Sequence, residues 1–229
     1  MSKRAIYNMI LYYTMLYFLF IFLFITIVIS IDEQYLKFPV QFSANITITA
    51  HQVPTESIYP PRIRTIAVYY DYFAKKVRAD LSSGYEAEKT YIRRYDIKKE
   101  YMIRNPPISD CKRSYLGELF PYPLITESKY IHNNIDINGT LCNYYLIEEI
   151  GQRIHIYMSM SNNAPVRLIE ESYDGYESKE MLTYDYNNVI LGPQEDSVFE
   201  LPQMYTHDEC VSHAGGFPYL HIFHHYVRF

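Results

Sequence analysis

From Val40 to Ile48 the chain alternates strictly. Val40, Phe42, Ala44, Ile46 and Ile48 are apolar, and Gln41, Ser43, Asn45 and Thr47 stand between them. A period of two commits a segment to a β-strand with one buried and one wet face. The same habit returns along the chain. Ile63, Thr65 and Ala67 lead into Val68–Tyr72, and Lys76–Asp80 reads as the hairpin partner, closed by a turn at Ser82-Ser83-Gly84. Thr90–Tyr95 and Glu100–Arg104 predict two short strands, ended by Asn105-Pro106-Pro107. Further strands are predicted over Leu141–Ile150, Ile154–Met160, Val166–Ser172 and Met181–Ile190, with turns at Gly151, Asn162-Asn163 and Asp174-Gly175. Tyr115–Tyr130 is the one helical or irregular insert; Pro121 and Pro123 break it, and Phe120 and Tyr122 form an aromatic tip suited to covering a cavity. Eight or so short strands predict a mainly β fold, an antiparallel meander curling into a barrel or half-barrel.

The N-terminus is of another kind. Ile6–Ser30 is nearly unbroken in Leu, Ile, Phe, Tyr, Val and Met, with Lys3 and Arg4 before it and Asp32 and Glu33 after it. Two readings fit: a signal peptide cleaved after Ser30, or a signal-anchor helix over Met9–Ile29, about 20 residues being needed to span a bilayer. With the basic residues held inside, both place the body in a lumen or outside the cell, secreted or single-pass anchored. The expected organisation is a leader over residues 1–30, a β domain over 31–218 and a His-rich tail over 219–229. Two N-x-[ST] tripeptides, Asn45-Ile46-Thr47 and Asn138-Gly139-Thr140, are candidate glycosylation sites. Asn138 falls in a turn, whereas Asn45 is accessible only if its side chain faces solvent.

Charge excludes one class of partner. The net charge is −5 and Lys and Arg form no cluster beyond pairs, so no nucleic-acid face is expected. Tyrosine is abundant, at 26 residues against no tryptophan. Tyrosine lines amphiphilic pockets, and Tyr70, Tyr72, Tyr91, Tyr95, Tyr144 and Tyr184 are the candidate ligand-binding residues, with core packing as the plainer role. The cysteines are Cys111, Cys142 and Cys210. In an oxidising compartment they imply one disulfide and one odd thiol. Closing about 100 residues (Cys111–Cys210) or about 30 (Cys111–Cys142) would contribute roughly 4.7 or 3.7 kcal/mol, too small a difference to choose by.

Catalytic and metal chemistry find little support in the pattern. His207, Asp208, Cys210, His213, His221, His224 and His225 concentrate near the C-terminus. Imidazoles three or four residues apart on a helix could bind zinc or copper, but the cysteine spacing offers no C-x-x-C, and the plainer role is a linker remnant. Cys210 with His213 could pair as nucleophile and base, although a disulfide is the simpler use of Cys210. Glu148-Glu149 and Glu170-Glu171 are neighbours on strands and must point to opposite faces. No cofactor is expected.

Several short motifs recur in a fixed order. They are Phe42-Ser43-Ala44, Tyr70-Asp71, Lys76-Val77-Arg78-Ala79-Asp80, Tyr95-Asp96 with Tyr101-Met102-Ile103, and Asp110-Cys111. After them come Pro165-Val166-Arg167-Leu168, Tyr184-Asp185-Tyr186, Phe199-Glu200-Leu201-Pro202, Cys210 and Gly216-Phe217-Pro218. In this order the chain resembles the N-terminal, non-peptidase domain of counting-factor-associated and digestive papain-type cysteine proteinases, and more distantly the ependymin-related proteins. The resemblance covers about Val40 to Pro218. It implies a curved antiparallel half-barrel like that of bacterial lipoprotein carriers, with a hydrophobic concave face, a Cys111–Cys210 disulfide and an unpaired Cys142. The Cys-Gly-Ser-Cys-Trp element of the papain site is missing, so no peptidase activity is implied. The expectation is a non-enzymatic extracytoplasmic domain that binds a hydrophobic small molecule, a lipid or a protein partner on its concave face. The alternatives are an accessory targeting or inhibitory domain of a papain-type proteinase and an anchored structural subunit of a membrane assembly.

Overall fold

The computed structural model describes residues 15–17, 36–58, 60–83, 87–120, 123–125 and 127–217. Two compact units are distinguished, Met1–Gln34 and Tyr35–Phe229. In the first, residues 15–17 are helical and exposed; the rest of the leader reading lies outside the described residues, as do Gly84, Pro121, Tyr122 and the tail from Pro218 with its three histidines. Among the described residues no helix is long and apolar enough to cross a membrane.

The second unit is mainly β. β1 (Leu36–Lys37) is a short stub. β2 (Gln41–Ala50), β3 (Ile63–Asp71), β4 (Lys76–Leu81), β5 (Lys89–Arg94), β6 (Lys99–Arg104) and β7 (Asp110–Tyr115) form one antiparallel meander. The chain then crosses over through β8 (Leu124–Ile125), which pairs with β1 in a two-stranded ribbon. A second meander follows: β9 (Lys129–Ile137), β10 (Thr140–Glu149), β11 (Gln152–Ser159), β12 (Pro165–Tyr173) and β13 (Ser178–Leu191). β13 closes on β2, and a last stub, β14 (Val211–Ser212), adds in parallel to β7. The result is one open, curved sheet of 12 strands in the order β14-β7-β6-β5-β4-β3-β2-β13-β12-β11-β10-β9. Its edges do not meet, so the fold is an open sheet and not a closed barrel.

Every body strand read from the sequence is present, with ends that agree to within about three residues. The expected count falls short because β7 and β9 show no alternation. β9, Lys129–Ile137, is an edge strand exposed over most of its length, so no buried face stamps a period of two on it. β7 carries Cys111 towards one face and Lys112 and Ser114 towards the other. The β9–β10 turn is Asn138-Gly139, with φ of 52° and 84°; two positive φ values are what a type I′ hairpin needs, and Asn-Gly is its preferred pair.

One face of the sheet, here the inner face, carries the main core. Phe42, Ile46, Ile66, Val68, Tyr70, Ala79, Tyr91, Tyr145, Ile147, Ile156, Leu168 and Tyr184 are all buried in it. The ribbon contributes Leu36 and Ile125 to the same core, with Phe38 beside it. The ribbon therefore covers the inner face from within the chain. The outer face differs between the two meanders. Across β4–β7 it is covered by residues 192–213: Phe199 and Cys210 are buried, Arg78 Nη1 donates to the Val198 carbonyl at 2.8 Å, and Tyr101 Oη lies 2.6 Å from His207 Nδ1. Across β10–β13 no such segment lies among the described residues, and the outer face mixes charged and polar groups with stacked rings.

Candidate functional site: the tyrosines of the inner face and their cover

Strand parity sorts the six candidate tyrosines. Tyr70, Tyr91 and Tyr184 point inward and are buried; Tyr72 and Tyr95, the first residues of the β3–β4 and β5–β6 turns, pack half-buried against the same core. Tyr144 points to the outer face, in register with Tyr157, and stacks on it at 5.1 Å and on His155 at 5.7 Å. Five of the six thus share a face and the sixth does not. Nothing in the alternation around Tyr144 and Tyr145 told which of the two would turn inward.

Phe120, from the crossover between β7 and β8, sits over this group. Its ring centroid lies 4.4 Å from Tyr95, 5.3 Å from Tyr70 and 5.4 Å, stacked, from Tyr72. Such ring pairs contribute about 0.5–1.5 kcal/mol each beyond area burial. The cover is held from below by charge. Arg93, 5% exposed at its side chain, places Nη1 2.5 Å from Glu118 Oε1 and 3.2 Å from the Tyr95 hydroxyl, and its Nε lies 3.2 Å from the buried Glu100 carboxylate without hydrogen-bond alignment. Burial raises the Glu100 carboxyl above its ordinary range against the pull of Arg93. Burial also pushes the Tyr95 hydroxyl up to about 12. Glu100 also anchors the chain beyond the sheet. Its Oε1 accepts the Phe217 N–H at 3.0 Å, which seats the Phe217 ring 6.2 Å from Tyr91. Sequence reasoning missed Arg93, Glu100 and Glu118. An Arg and a Glu on neighbouring strands look like an exposed cross-strand pair until the fold buries both.

The remaining candidates resolve differently. Cys111 and Cys210 form the disulfide, with Cα atoms 4.7 Å apart and 99 residues between them in sequence, and Cys142 is a buried free thiol. Cys210 is therefore no nucleophile paired with His213, whose ring stacks on Phe217 at 5.1 Å. Among the described residues no group of three metal-ligating side chains comes together. Glu170 and Glu171 point to opposite faces, the first buried, the second 3.0 Å from His155 Nε2. Asn45 and Asn138, the sequon residues, are both exposed.

The outer face of the second meander holds its own network. Tyr144 Oη lies 2.8 Å from His155 Nδ1, and Arg167 Nε donates to Asp185 at 2.6 Å. Burial acts to raise the Glu171 carboxyl, but the hydrogen bond from Ser178 and the nearby His155 and Arg153 outweigh it and hold the group below its ordinary range. Arg153 stacks over Tyr173 at 3.5 Å and pairs with Glu148. Within the network His155 Nε2 is buried and faces Glu171 without hydrogen-bond alignment.

No protein-family model matches the chain, and no curated protein matches it in sequence. Solved structures do resemble it in fold. An uncharacterised conserved protein from Thermus thermophilus matches with a TM-score of 0.51 at 9% identity, over 76% of this chain and 91% of that one. MucB in complex with MucA(peri) matches with a TM-score of 0.43 at 8% identity, over 75% of this chain and 56% of that one. A LolA-superfamily protein from Nitrosomonas europaea matches with a TM-score of 0.35 at 14% identity, over 72% and 93%. At these identities the likeness is one of fold.

Proposed function

We propose that the chain is an extracytoplasmic carrier-type domain that takes a hydrophobic guest, a lipid or another apolar small molecule, against the inner face of its sheet. The observation that carries this reading is the cover. Among the described residues the inner face is covered by a loop-borne ring, Phe120, and by the short two-stranded ribbon of β1 and β8. A cover of that size can swing aside while the 12-stranded scaffold stays paired, and large apolar faces under movable loops are where ligands bind. The five inward tyrosines would line the guest's surroundings, their hydroxyls serving an amphiphile's polar end. The Cys111–Cys210 disulfide agrees with an oxidising compartment. Exposed Asn45 and Asn138 would then be open to glycosylation.

A second reading rests on the ordered motifs from Phe42-Ser43-Ala44 to Gly216-Phe217. They favour an accessory domain of a papain-type cysteine proteinase, which would act through protein contacts. Mass spectrometry of the protein purified from its native membrane fraction separates the two. A carrier yields a lipid or apolar molecule at constant stoichiometry with the chain. Phe120→Ala should weaken retention of that guest about tenfold, equivalent to about 1.4 kcal/mol. A chain that carries no small molecule and elutes with a peptidase would overturn the carrier.

A further inference from the structure

The turns at one end of the sheet share an unusual composition. The β3–β4 turn reads Tyr72-Phe73-Ala74-Lys75-Lys76 and the β5–β6 turn reads Tyr95-Asp96-Ile97-Lys98-Lys99. Both are Tyr-x-x-Lys-Lys, and both are built alike. In each, the tyrosine carbonyl accepts the N–H of the residue three later, at 3.2 Å (Lys75) and 3.4 Å (Lys98), and that lysine has a positive φ, 57° and 53°. The two turns adjoin: the Tyr95 N–H donates to the Lys75 carbonyl at 3.0 Å, and the Leu116 N–H donates to the Lys98 carbonyl at 3.0 Å, bringing up the end of β7. The tips therefore gather four exposed apolar side chains, Phe73, Ile97, Tyr115 and Leu119, of which Leu119 is 91% exposed.

Charge at this end departs from that of the whole chain, which is net acidic at −5. Three of the acids of the turns and of the segments beside them are matched by cations, while the exposed Glu195 and Glu200 have no ion pair among the described residues. Asp96 pairs with Arg94 at 2.7 Å, Asp196 with Lys76 at 2.6 Å and Glu118 with Arg93 at 2.5 Å, while the buried Asp71 accepts the Ala74 N–H and the Gln41 amide. Lys75, Lys98 and Lys99 have no ion pair among the described residues. Scattered exposed apolar residues are ordinary on a protein surface. Apolar tips interleaved with unmatched lysines are different: they suit a phase with an apolar interior and an anionic skin.

We infer that this end of the sheet docks on an anionic membrane surface. Phe73 and Ile97 enter the boundary between headgroups and acyl chains, Leu119 follows them, and Lys75, Lys98 and Lys99 meet the lipid phosphates and carboxylates. Tyr72 and Tyr95, the first residues of the same turns, are the rings on which Phe120 rests. The docking face is thus continuous with the cover of the inner face, although it stands whether or not that face takes a guest.

The absence of tryptophan makes the test local. The Phe73→Trp full chain is mixed with vesicles of phosphatidylcholine, with or without phosphatidylserine, whose acyl chains are brominated. Tyr176→Trp, in the β12–β13 turn, serves as reference at a residue 96% exposed. Docking predicts a blue shift and bromine quenching at position 73 with phosphatidylserine only, and neither at position 176. Changing Lys75, Lys98 and Lys99 together to Gln should lower partitioning roughly a hundredfold, about fivefold per lysine. Emission at position 73 that stays water-like, that is quenched equally without phosphatidylserine, or that is matched at position 176 would overturn the inference. The reference also keeps the test independent of any vesicle binding by the leader.

Discussion

The two meanders are built from similar strands and end up in different surroundings. In β5 and β6 four consecutive residues are buried, because the inner core lies on one side and residues 192–213 on the other. In β11 and β12 buried residues alternate with half-exposed ones, because the outer face is left to solvent and to a polar network. The first meander is also the one with the disulfide and the buried Arg93–Glu100 pair. What differs among the described residues is the chain beyond β13, which turns back over the first meander and not over the second. Position in the sheet, more than strand sequence, decides whether a strand has one dry face or two.

The comparison is most severely tested by removing the disulfide. Cys111→Ser with Cys210→Ser frees a segment that closes 99 residues, and chain entropy puts the loss near 4–5 kcal/mol. Hydrogen exchange should then speed up across β5–β7 while β10–β12 stay protected. Equal acceleration in both meanders would mean that they do not differ in how they are held.

A smaller loss, about 3 kcal/mol, is expected from Arg93→Met, since breaking a buried pair leaves Glu100 charged and uncompensated. Its sign with pH is fixed. Glu100 already titrates above its ordinary range, and losing Arg93 raises it further. A group raised in the folded state contributes fully below its unfolded value, near 4.3, and loses that contribution as pH rises through the folded value. The deficit of Arg93→Met, read by urea unfolding, should therefore be largest at neutral pH and shrink on acidification towards about pH 4. A deficit independent of pH would mean that packing, not charge, holds the cover.

The smallest effect belongs to the second meander. His155→Gln keeps a polar side chain between Tyr144 and Glu171 on a partly solvated face and should change stability by less than about 1 kcal/mol. A loss comparable with that of Arg93→Met would show that the outer network bears as much of the fold as the buried pair.

The legibility of the chain follows the same division. β2, β10, β11 and β12 announce themselves because one face is wet, and the wet residues mark the period. The β4 pairing was legible from Lys76-Val77-Arg78-Ala79-Asp80, whose charged side chains all point outward. β9 was invisible because neither of its faces is dry. The wrapping of Phe199, Cys210 and Phe217 around the β7 edge was hidden for another reason: loop contacts depend on where the chain returns, which no local pattern records. The disulfide was reached through the ordered motifs and not through spacing. Phe120 was readable as a cover, but the Arg93, Glu100 and Glu118 cluster beneath it was not, since burial of charge is a property of the assembled sheet.

The pairing of β2 with β13 sets a timetable for synthesis. The first long strand of the sheet hydrogen-bonds to the last, and Thr47 meets Asn187 across 140 residues of chain. Until Leu191 has emerged, β2 shows a bare edge with Phe42, Ile46 and Ile48 beside it. Contacts so distant in sequence form slowly, and an unpaired apolar edge invites the wrong partner meanwhile. A nascent chain halted before residue 191 would have one meander complete and its seam open, so the interval between translating β2 and β13 is when this protein most needs a chaperone.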